Sequence, residues 1–342
     1  MHRCLQLAKL GEGHVAPNPM VGAVLVYENV IIGEGYHQRY GQAHAEVNCI
    51  NSVSEANKSL IEKSTLYVSL EPCAHYGKTP PCADLIIKNN IPNVVIACRD
   101  SYEEVDGKGI EKLKQAGINV ITGVLEKEAL ELNKRFFTFH TKHRPYIILK
   151  WAQSSDAKIA GDNFSAVKIS HDITNRLVHK WRSEEAAILV GTNTALHDNP
   201  SLTTRFWQGN NPVRLVIDRN LKLPESLHLF DGSVKTIVFN QVEDKEQNGI
   251  LFYKIAAEEN WIAAIMTALF QLNIQSVLVE GGATLLQSFI DQGYWDEARV
   301  ITNEQLTIGN GIHAPVLKNN TLTNTKKIAT DLVVTYQPYL KF

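Results

Sequence analysis

His44-Ala45-Glu46, followed by Pro72-Cys73 and then Cys82, supplies one imidazole, two thiols and a carboxylate. Imidazole and thiolate are soft donors that suit zinc. Three protein ligands leave the fourth tetrahedral position to water, the arrangement of a catalytic zinc rather than a closed structural one. Zinc lowers the pKa of such a water to roughly 7, so a hydroxide nucleophile forms in neutral solution. Glu46 is then a proton carrier rather than a ligand. It takes the water's proton and returns it, first to a ring nitrogen and then to departing ammonia. At a helix start His44 and Glu46 face one pocket. Cys73 and Cys82 meet them at the N-terminus of the next helix, where the positive dipole end favours thiolates.

A His-x-Glu with a later Pro-Cys and Cys is the pattern of zinc enzymes that remove an amine from a nucleobase. In the general Pro-Cys-x-x-Cys form the cysteines sit close together; here eight residues, Ala74–Pro81, separate them. Within that insert Gly77, Lys78 and Thr79 offer backbone amides, a cation and a hydroxyl, which suit an anionic or carbonyl-bearing substrate. His75 reads as loop structure rather than a fourth ligand.

Hydrophobic periodicity outlines the elements that must hold these groups. A short helix over 3–10 carries Cys4, Leu7 and Ala8 on one face. Val21–Tyr27 and Val30–Glu34 flank Glu28-Asn29 as a hairpin. His44–Ile50 starts a helix, Thr65–Leu70 is a strand delivering Glu71-Pro72-Cys73, Cys82–Asn89 is a helix and Val94–Cys98 a strand. Helices over Lys108–Ala116 and Glu126–Phe137 complete a layered α/β unit. His140–Pro145 is polar, basic and ends in proline, as a linker would, so domains over 1–144 and 145–342 are expected. Beyond it strands are expected at Tyr146–Trp151, Ala187–Val190, Val213–Asp218, Lys235–Phe239 and Ser276–Glu280. Helices are expected at Ile173–Arg182, Trp261–Leu272 and Thr284–Gln292.

A length of 342 residues suits two domains, and a 44% apolar fraction suits a real core. A net charge of −2 gives no basic surface for nucleic acid. Five cysteines are too few for a disulfide scaffold. Cys4, Cys49 and Cys98 sit in apolar surroundings, so a reducing compartment is expected. No apolar run is long enough to span a bilayer. The first helix opens at the first residue, which leaves room for residues upstream, and Met1-His2-Arg3 leads into it rather than into an apolar leader. A cytoplasmic protein is expected, with no membrane or nucleic-acid partner.

The second half has no Gly-x-Gly-x-x-Gly after a strand, which argues against a Rossmann site. Gly281-Gly282 follows a strand and precedes a helix. It is either a plain tight turn or a place where backbone amides meet a pyrophosphate. Arg219 follows the strand Val213–Asp218, where a cation could meet a 2′-phosphate or simply be solvated.

Longer stretches carry a resemblance. Pro17-Asn18-Pro19-Met20-Val21-Gly22, Gly33-Glu34-Gly35-Tyr36-His37, His44-Ala45-Glu46-Val47 and the run from Glu71 to Cys82 resemble the pyrimidine deaminase half of the bifunctional riboflavin-biosynthesis deaminase/reductase family. The runs Lys150–Ala160, Ala187–Thr194, Asp198–Arg205 and Val279–Gly282 are similar to its reductase half, in the order of the fused bacterial enzyme. The resemblance implies a cytidine-deaminase-like three-layer domain followed by a dihydrofolate-reductase-like domain, with zinc and NADPH as cofactors. It implies loss of the 2-amino group from 2,5-diamino-6-(5-phosphoribosylamino)pyrimidin-4-one. Reduction of the ribosyl group of 5-amino-6-(5-phosphoribosylamino)uracil to ribityl would follow. A homo-oligomer, dimer or tetramer, is also implied.

By the same resemblance Asn18, Lys78 and Thr79 contact the pyrimidine and ribose phosphate. Ala152, Lys168, Thr194, Asp198 and the turn and helix Gly282, Ala283, Thr284, Leu285, Leu286, Gln287 and Ser288 line NADPH. Ala166, Arg182, Leu202, Arg205 and Glu280 line the substrate. Arg182 and Arg205 are able to fork onto a phosphate, and Glu280 to accept from amino or hydroxyl groups. Lys150 is either a cation near the reacting carbon or structural. Ser155 and Ala157 stand where the family usually has Leu and Gly, so Ala157 must adopt negative φ or bear strain. Lys168 stands where an aromatic is usual, trading a stacking plane for a charge. Two rival readings remain: a tRNA-type deaminase with an unrelated appendage, and a binding protein whose reductase half has decayed. Ammonia release from a free phosphoribosyl pyrimidine argues against the first, substrate-dependent NADPH oxidation against the second.

Overall fold

The computed structural model describes residues 1–342 except 77–79, 102–104, 166, 257–259 and 340–342. The chain divides into two compact units, Met1–His143 and Arg144–Phe342. Among the described residues no helix is long and apolar enough to cross a membrane.

The first unit runs α1 (His2–Lys9), β1 (Gly22–Tyr27), β2 (Val30–Tyr36), α2 (Ala45–Asn51), β3 (Thr65–Val68), α3 (Cys82–Lys88), β4 (Asn93–Ile96), α4 (Lys108–Gln115), β5 (Asn119–Thr122), α5 (Glu126–Leu132) and α6 (Lys134–Lys142). Its sheet has the order β2-β1-β3-β4-β5. The expected hairpin is antiparallel, while β3, β4 and β5 run parallel. Strand β1 is apolar throughout its buried part because both faces are covered. Ala23 and Leu25 join the core under α2 and α3, and Val24 joins Cys4 and Leu7 of α1 on the other side.

Two expectations fail here. The helix expected over Glu126–Phe137 is two helices, broken at Asn133, whose side chain bonds a distant backbone instead of pointing to solvent. The linker expected over His140–Pro145 is helical in its first half, because Phe136 and Phe139 are buried and carry α6 on to Lys142; only residues 143–145 connect α6 to β6, and the two units divide there.

The second unit runs β6 (Tyr146–Ser154), β7 (Lys158–Gly161), α7 (Asp172–Glu184), β8 (Ala187–Val190), α8 (Thr192–Asp198), β9 (Val213–Ile217), β10 (Thr236–Asn240), β11 (Lys245–Gln247), β12 (Ile250–Lys254), α9 (Trp261–Gln271), β13 (Ser276–Gly281), α10 (Ala283–Asp291), β14 (Glu297–Asn303), β15 (Gly311–His313), β16 (Asn320–Ile328) and β17 (Asp331–Pro338). Ten strands form one sheet in the order β11-β12-β10-β9-β8-β13-β6-β14-β17-β16. From β12 to β14 they are parallel, with antiparallel partners at both edges. Central strands alternate between two cores. Ile147, Leu149, Val277 and Val279 pack with Ile265 of α9 and Phe289 of α10, while Ile148 and Leu278 pack with Val178 and Trp181 of α7. A crevice outside the carboxyl ends of such parallel strands is the natural place for a ligand.

Candidate functional site

Close backbone packing puts the first site's groups in place. A Cβ at Gly35 would stand 2.2 Å from the Cys49 nitrogen, so only glycine lets β2 lie directly on α2. His44 caps α2 in extended conformation, and Glu46 follows in the first turn. Glu71 is buried and accepts the backbone N–H groups of Asp100, Gly107, Gly109 and Ile110, which ties the Pro72-Cys73 turn to the start of α4. At Gly109 a Cβ would fall 1.9 Å from the Pro72 carbonyl oxygen. Cys82 opens α3, and its N–H donates to Cys73 Sγ at 3.3 Å.

His44 Nδ1 consequently lies 3.6 Å from Cys73 Sγ and 3.3 Å from Cys82 Sγ, with all three ligand atoms within 4.8 Å of one another. Zinc bonds of roughly 2.1 Å to nitrogen and 2.3 Å to sulfur place tetrahedral N and S donors roughly 3.5 Å apart, so this set fits the ion. Among the described residues it is the one His/Cys/Asp/Glu group with metal-holding spacing. Hydrogen bonding with Cys82 pulls the Cys73 thiol down, and the same contact pushes Cys82 up. Cys73 likewise raises His44. Burial pushes the Glu46 carboxyl up to about 7, with the Cys73 charge acting in the same direction. A carboxyl near neutrality both accepts and returns a proton.

Asn18 Nδ2 lies 3.2 Å from His37 Nε2, and His37 Nδ1 lies 3.1 Å from the Ala43 carbonyl. A ring protonated on Nδ1 alone satisfies both contacts. Burial lowers His37 accordingly. Its ring stands edge-on to His44 at 5.5 Å. His37 lies inside a recognisable motif yet carries no role on sequence grounds. Asn133 is missed altogether. Its Oδ1 accepts the Met20 N–H at 2.8 Å and its Nδ2 donates to the Met20 carbonyl at 2.9 Å, fixing the loop that bears Asn18. The available signal was an asparagine inside a helical run, where its side chain competes for backbone bonds. Lys78 and Thr79 lie outside the described residues.

In the second unit a cleft of about 870 Å³ opens at the strand ends. Ala152, Lys168, Thr194, Asp198, Arg219, Gly282, Ala283, Thr284, Leu285, Leu286 and Ser288 line it, as do Arg182, Leu202 and Glu280. Gln287 does not: it bonds Asp291 and the Val316 backbone on another face of α10. Arg205 is exposed, bonded to Thr203 and lying over the Phe206 ring. Ala166 lies outside the described residues. Helix α10 starts without a side-chain cap, so its first N–H groups suit a diphosphate. A Cβ at Gly282 would stand 3.1 Å from Thr194 Oγ1 and narrow the cleft there. Arg219 lies 4.6 Å above the Trp261 ring. These features fit a dinucleotide.

The charged groups are arranged differently from the expectation. Arg182 forks onto Glu280 through Nε and Nη2, both at 2.8 Å, and Nη1 donates to the Thr203 carbonyl at 3.2 Å. Its bidentate face is thus turned to Glu280 rather than offered to a phosphate. Lys150 Nζ stands 3.5 Å from the same carboxylate. Burial would raise Glu280, but the charges of Arg182 and Lys150 bring it down to about 2. Burial lowers Lys150 and raises Asp198. Lys168 pairs with Asp172 at 2.7 Å in solvent, which turns its charge outward. Ala157 has φ 56°, the strained left-handed conformation that a glycine would adopt freely.

A soft three-donor centre beside a buried proton-carrying carboxyl, joined to a unit with a dinucleotide-sized cleft at its strand ends, defines a metal-dependent deaminase coupled to a reductase. Residues 1–98 match the cytidine and deoxycytidylate deaminase zinc-binding region, and residues 145–334 match the RibD C-terminal domain. The chain is 39% identical to riboflavin biosynthesis protein RibD of Aquifex aeolicus, over 99% of this chain and 98% of that one. To the RibD of Bacillus amyloliquefaciens it is 42% identical, over 87% and 81%. A solved deaminase/reductase from Thermotoga maritima superposes with a TM-score of 0.89 at 36% identity, covering 99% of this chain and 97% of that one. The chain belongs to the RibD family: it is a bifunctional riboflavin-biosynthesis enzyme, a zinc-dependent deaminase and an NADPH-dependent reductase. Its first unit is cytidine-deaminase-like and its second dihydrofolate-reductase-like.

Proposed function

We propose that the first unit converts 2,5-diamino-6-(5-phosphoribosylamino)pyrimidin-4-one and water to the 2-oxo compound and ammonia. The second unit then reduces the ribosyl group of the resulting 5-amino-6-(5-phosphoribosylamino)uracil to ribityl, consuming NADPH and a proton. The observation that carries this reading is the convergence of His44, Cys73 and Cys82 beside buried Glu46. The solved Thermotoga maritima relative, described as a diaminohydroxyphosphoribosylaminopyrimidine deaminase and 5-amino-6-(5-phosphoribosylamino)uracil reductase, supports the substrates.

His44, Cys73 and Cys82 hold zinc, which when bound activates water for attack at the ring carbon. Glu46 takes the proton and delivers it to the ring nitrogen and then to ammonia. Asn18 orients the pyrimidine, and Lys78 and Thr79 hold its ribose phosphate. In the second unit Ala152, Thr194, Asp198, Lys168, the residues from Gly282 to Leu286 and Ser288 hold NADPH, which when bound supplies hydride. Arg219 presents its cation to the 2′-phosphate from above Trp261. Ala166, Leu202 and Glu280 seat the substrate, with Arg182 orienting Glu280 and Arg205 meeting the phosphate at the rim. The enzyme works in the cytoplasm as a homo-oligomer, which sedimentation of the purified protein tests.

Incubation with the diaminopyrimidine nucleotide, with and without NADPH, tests the reactions. Ammonia should form in both cases and the ribityl product only with NADPH. Ribityl formation from the undeaminated nucleotide at equal rate would overturn the order of steps.

A further inference from the structure

We propose that Asn303 and Asp331 are positioning residues for the cofactor, clamping the segment 167–171 that forms one wall of the cleft. The inference rests on the cleft being the NADPH site. Val167, Lys168, Ile169 and Ser170 all line that cleft. Residues 167–169 lie outside every helix and strand among the described residues, so no helix or strand ladder found there holds them. Asn303 and Asp331 stand opposite each other where β14 pairs with β17. Asn303 Nδ2 donates to the Ile169 carbonyl at 2.7 Å, and the His171 N–H donates to Asp331 Oδ2 at 2.8 Å. The two bonds bracket Ser170 from a rigid part of the sheet.

Neither side chain is explained by its own strand alone. Asn303 Oδ1 already accepts the N–H groups of Gln305 and Leu306, which closes the turn after β14. Its amide nitrogen is the part that reaches the segment. Asp331 is fully buried, and a carboxylate is buried only where donors meet it. The His171 N–H is such a donor, and it belongs to the segment rather than to β17. His171 also caps α7, accepting from the Ile173 N–H, so the clamp fixes both the wall and the start of that helix.

The test compares Asn303→Ala, Asp331→Ala and Asp331→Asn, with KM and kcat measured for each reaction. Asn303→Ala and Asp331→Ala should raise the KM for NADPH about five- to tenfold, with a smaller change in reductase kcat and none in ammonia release. Asp331→Asn should restore the KM, because its amide oxygen still accepts the His171 N–H. An unchanged KM in Asn303→Ala, or no difference between Asp331→Ala and Asp331→Asn, would overturn the proposal. If Asn303→Ala does not fold, the two Asp331 variants decide alone. Ala152→Trp, which fills the cleft, separates the readings. If it leaves NADPH binding intact, the cleft assignment fails. If it abolishes binding while the Asn303 and Asp331 variants bind normally, the clamp alone fails.

Discussion

In the first unit three soft donors, His44, Cys73 and Cys82, converge within 4.8 Å beside Glu46. In the second several charged groups are already paired: Arg182 and Lys150 onto Glu280, and Lys168 onto Asp172. Donors that converge are matched to a cation. Groups paired within the protein are matched to one another. The first site should therefore depend on its ion for function, and the second on the integrity of its internal pairs for stability. The first is also local, spanning positions 44 to 82, whereas the second gathers residues from 150 to 288.

Metal removal is the strongest test of that contrast. A chelator should abolish ammonia release and leave reduction of supplied aminouracil nucleotide intact, because zinc ligands belong to the first unit alone. Parallel loss of both activities would show that the two sites do not depend on separate groups. Next in size, Glu46→Gln should retain zinc by elemental analysis yet slow ammonia release by roughly 100- to 10,000-fold. Comparable turnover in that variant would remove Glu46 from proton transfer.

Glu280→Gln leaves two buried cations short of their counter-charge and should destabilise the second unit by about 3–5 kcal/mol, read by urea unfolding. The pH dependence has a definite sign. Glu280 sits at about 2 when folded, against roughly 4.3 when unfolded. Its contribution is therefore complete above that unfolded value and is lost as the pH falls toward the folded one. Unfolding curves between roughly pH 5 and pH 2 should steepen for the native protein relative to Glu280→Gln; identical curves would refute the internal pairing.

Smaller effects probe positioning and strain. Asn133→Leu removes both bonds to Met20 and should raise the deaminase KM about tenfold with zinc content unchanged. A shift in kcat alone would place Asn133 elsewhere in the argument. Ala157→Gly relieves the left-handed strain and should stabilise the second unit by about 0.5–1 kcal/mol, unless the melting temperature fails to rise.

The metal centre was legible because its residue types are chemically distinctive and its ligands come from one stretch of chain. Glu71, by contrast, stands in the same motif, but its role as acceptor for four backbone N–H groups depends on where α4 begins. The cleft was legible as a set of segments and less so residue by residue. Treating Gly282 to Ser288 as one unit hides the helical turn that sends Gln287 to Asp291. Arg182 reads as a phosphate fork until its partner, 98 residues further on, comes into view. The strands β14, β16 and β17 escaped notice altogether; β16 is almost wholly exposed and polar, so it shows no alternation.

From the order of amino acids alone came the deaminase chemistry, the candidate zinc ligands and proton carrier and the α/β character of both halves, since donor type and apolar periodicity are local properties; the reductase chemistry came from the resemblance of longer stretches to a known family. Folding decided which groups neutralise one another. Glu280 takes up Arg182, Asn133 takes up Met20, and Asn303 with Asp331 takes up the wall at Ile169 and His171. Such pairings are set by which backbones approach within hydrogen-bond reach, a distance that separation along the chain does not encode.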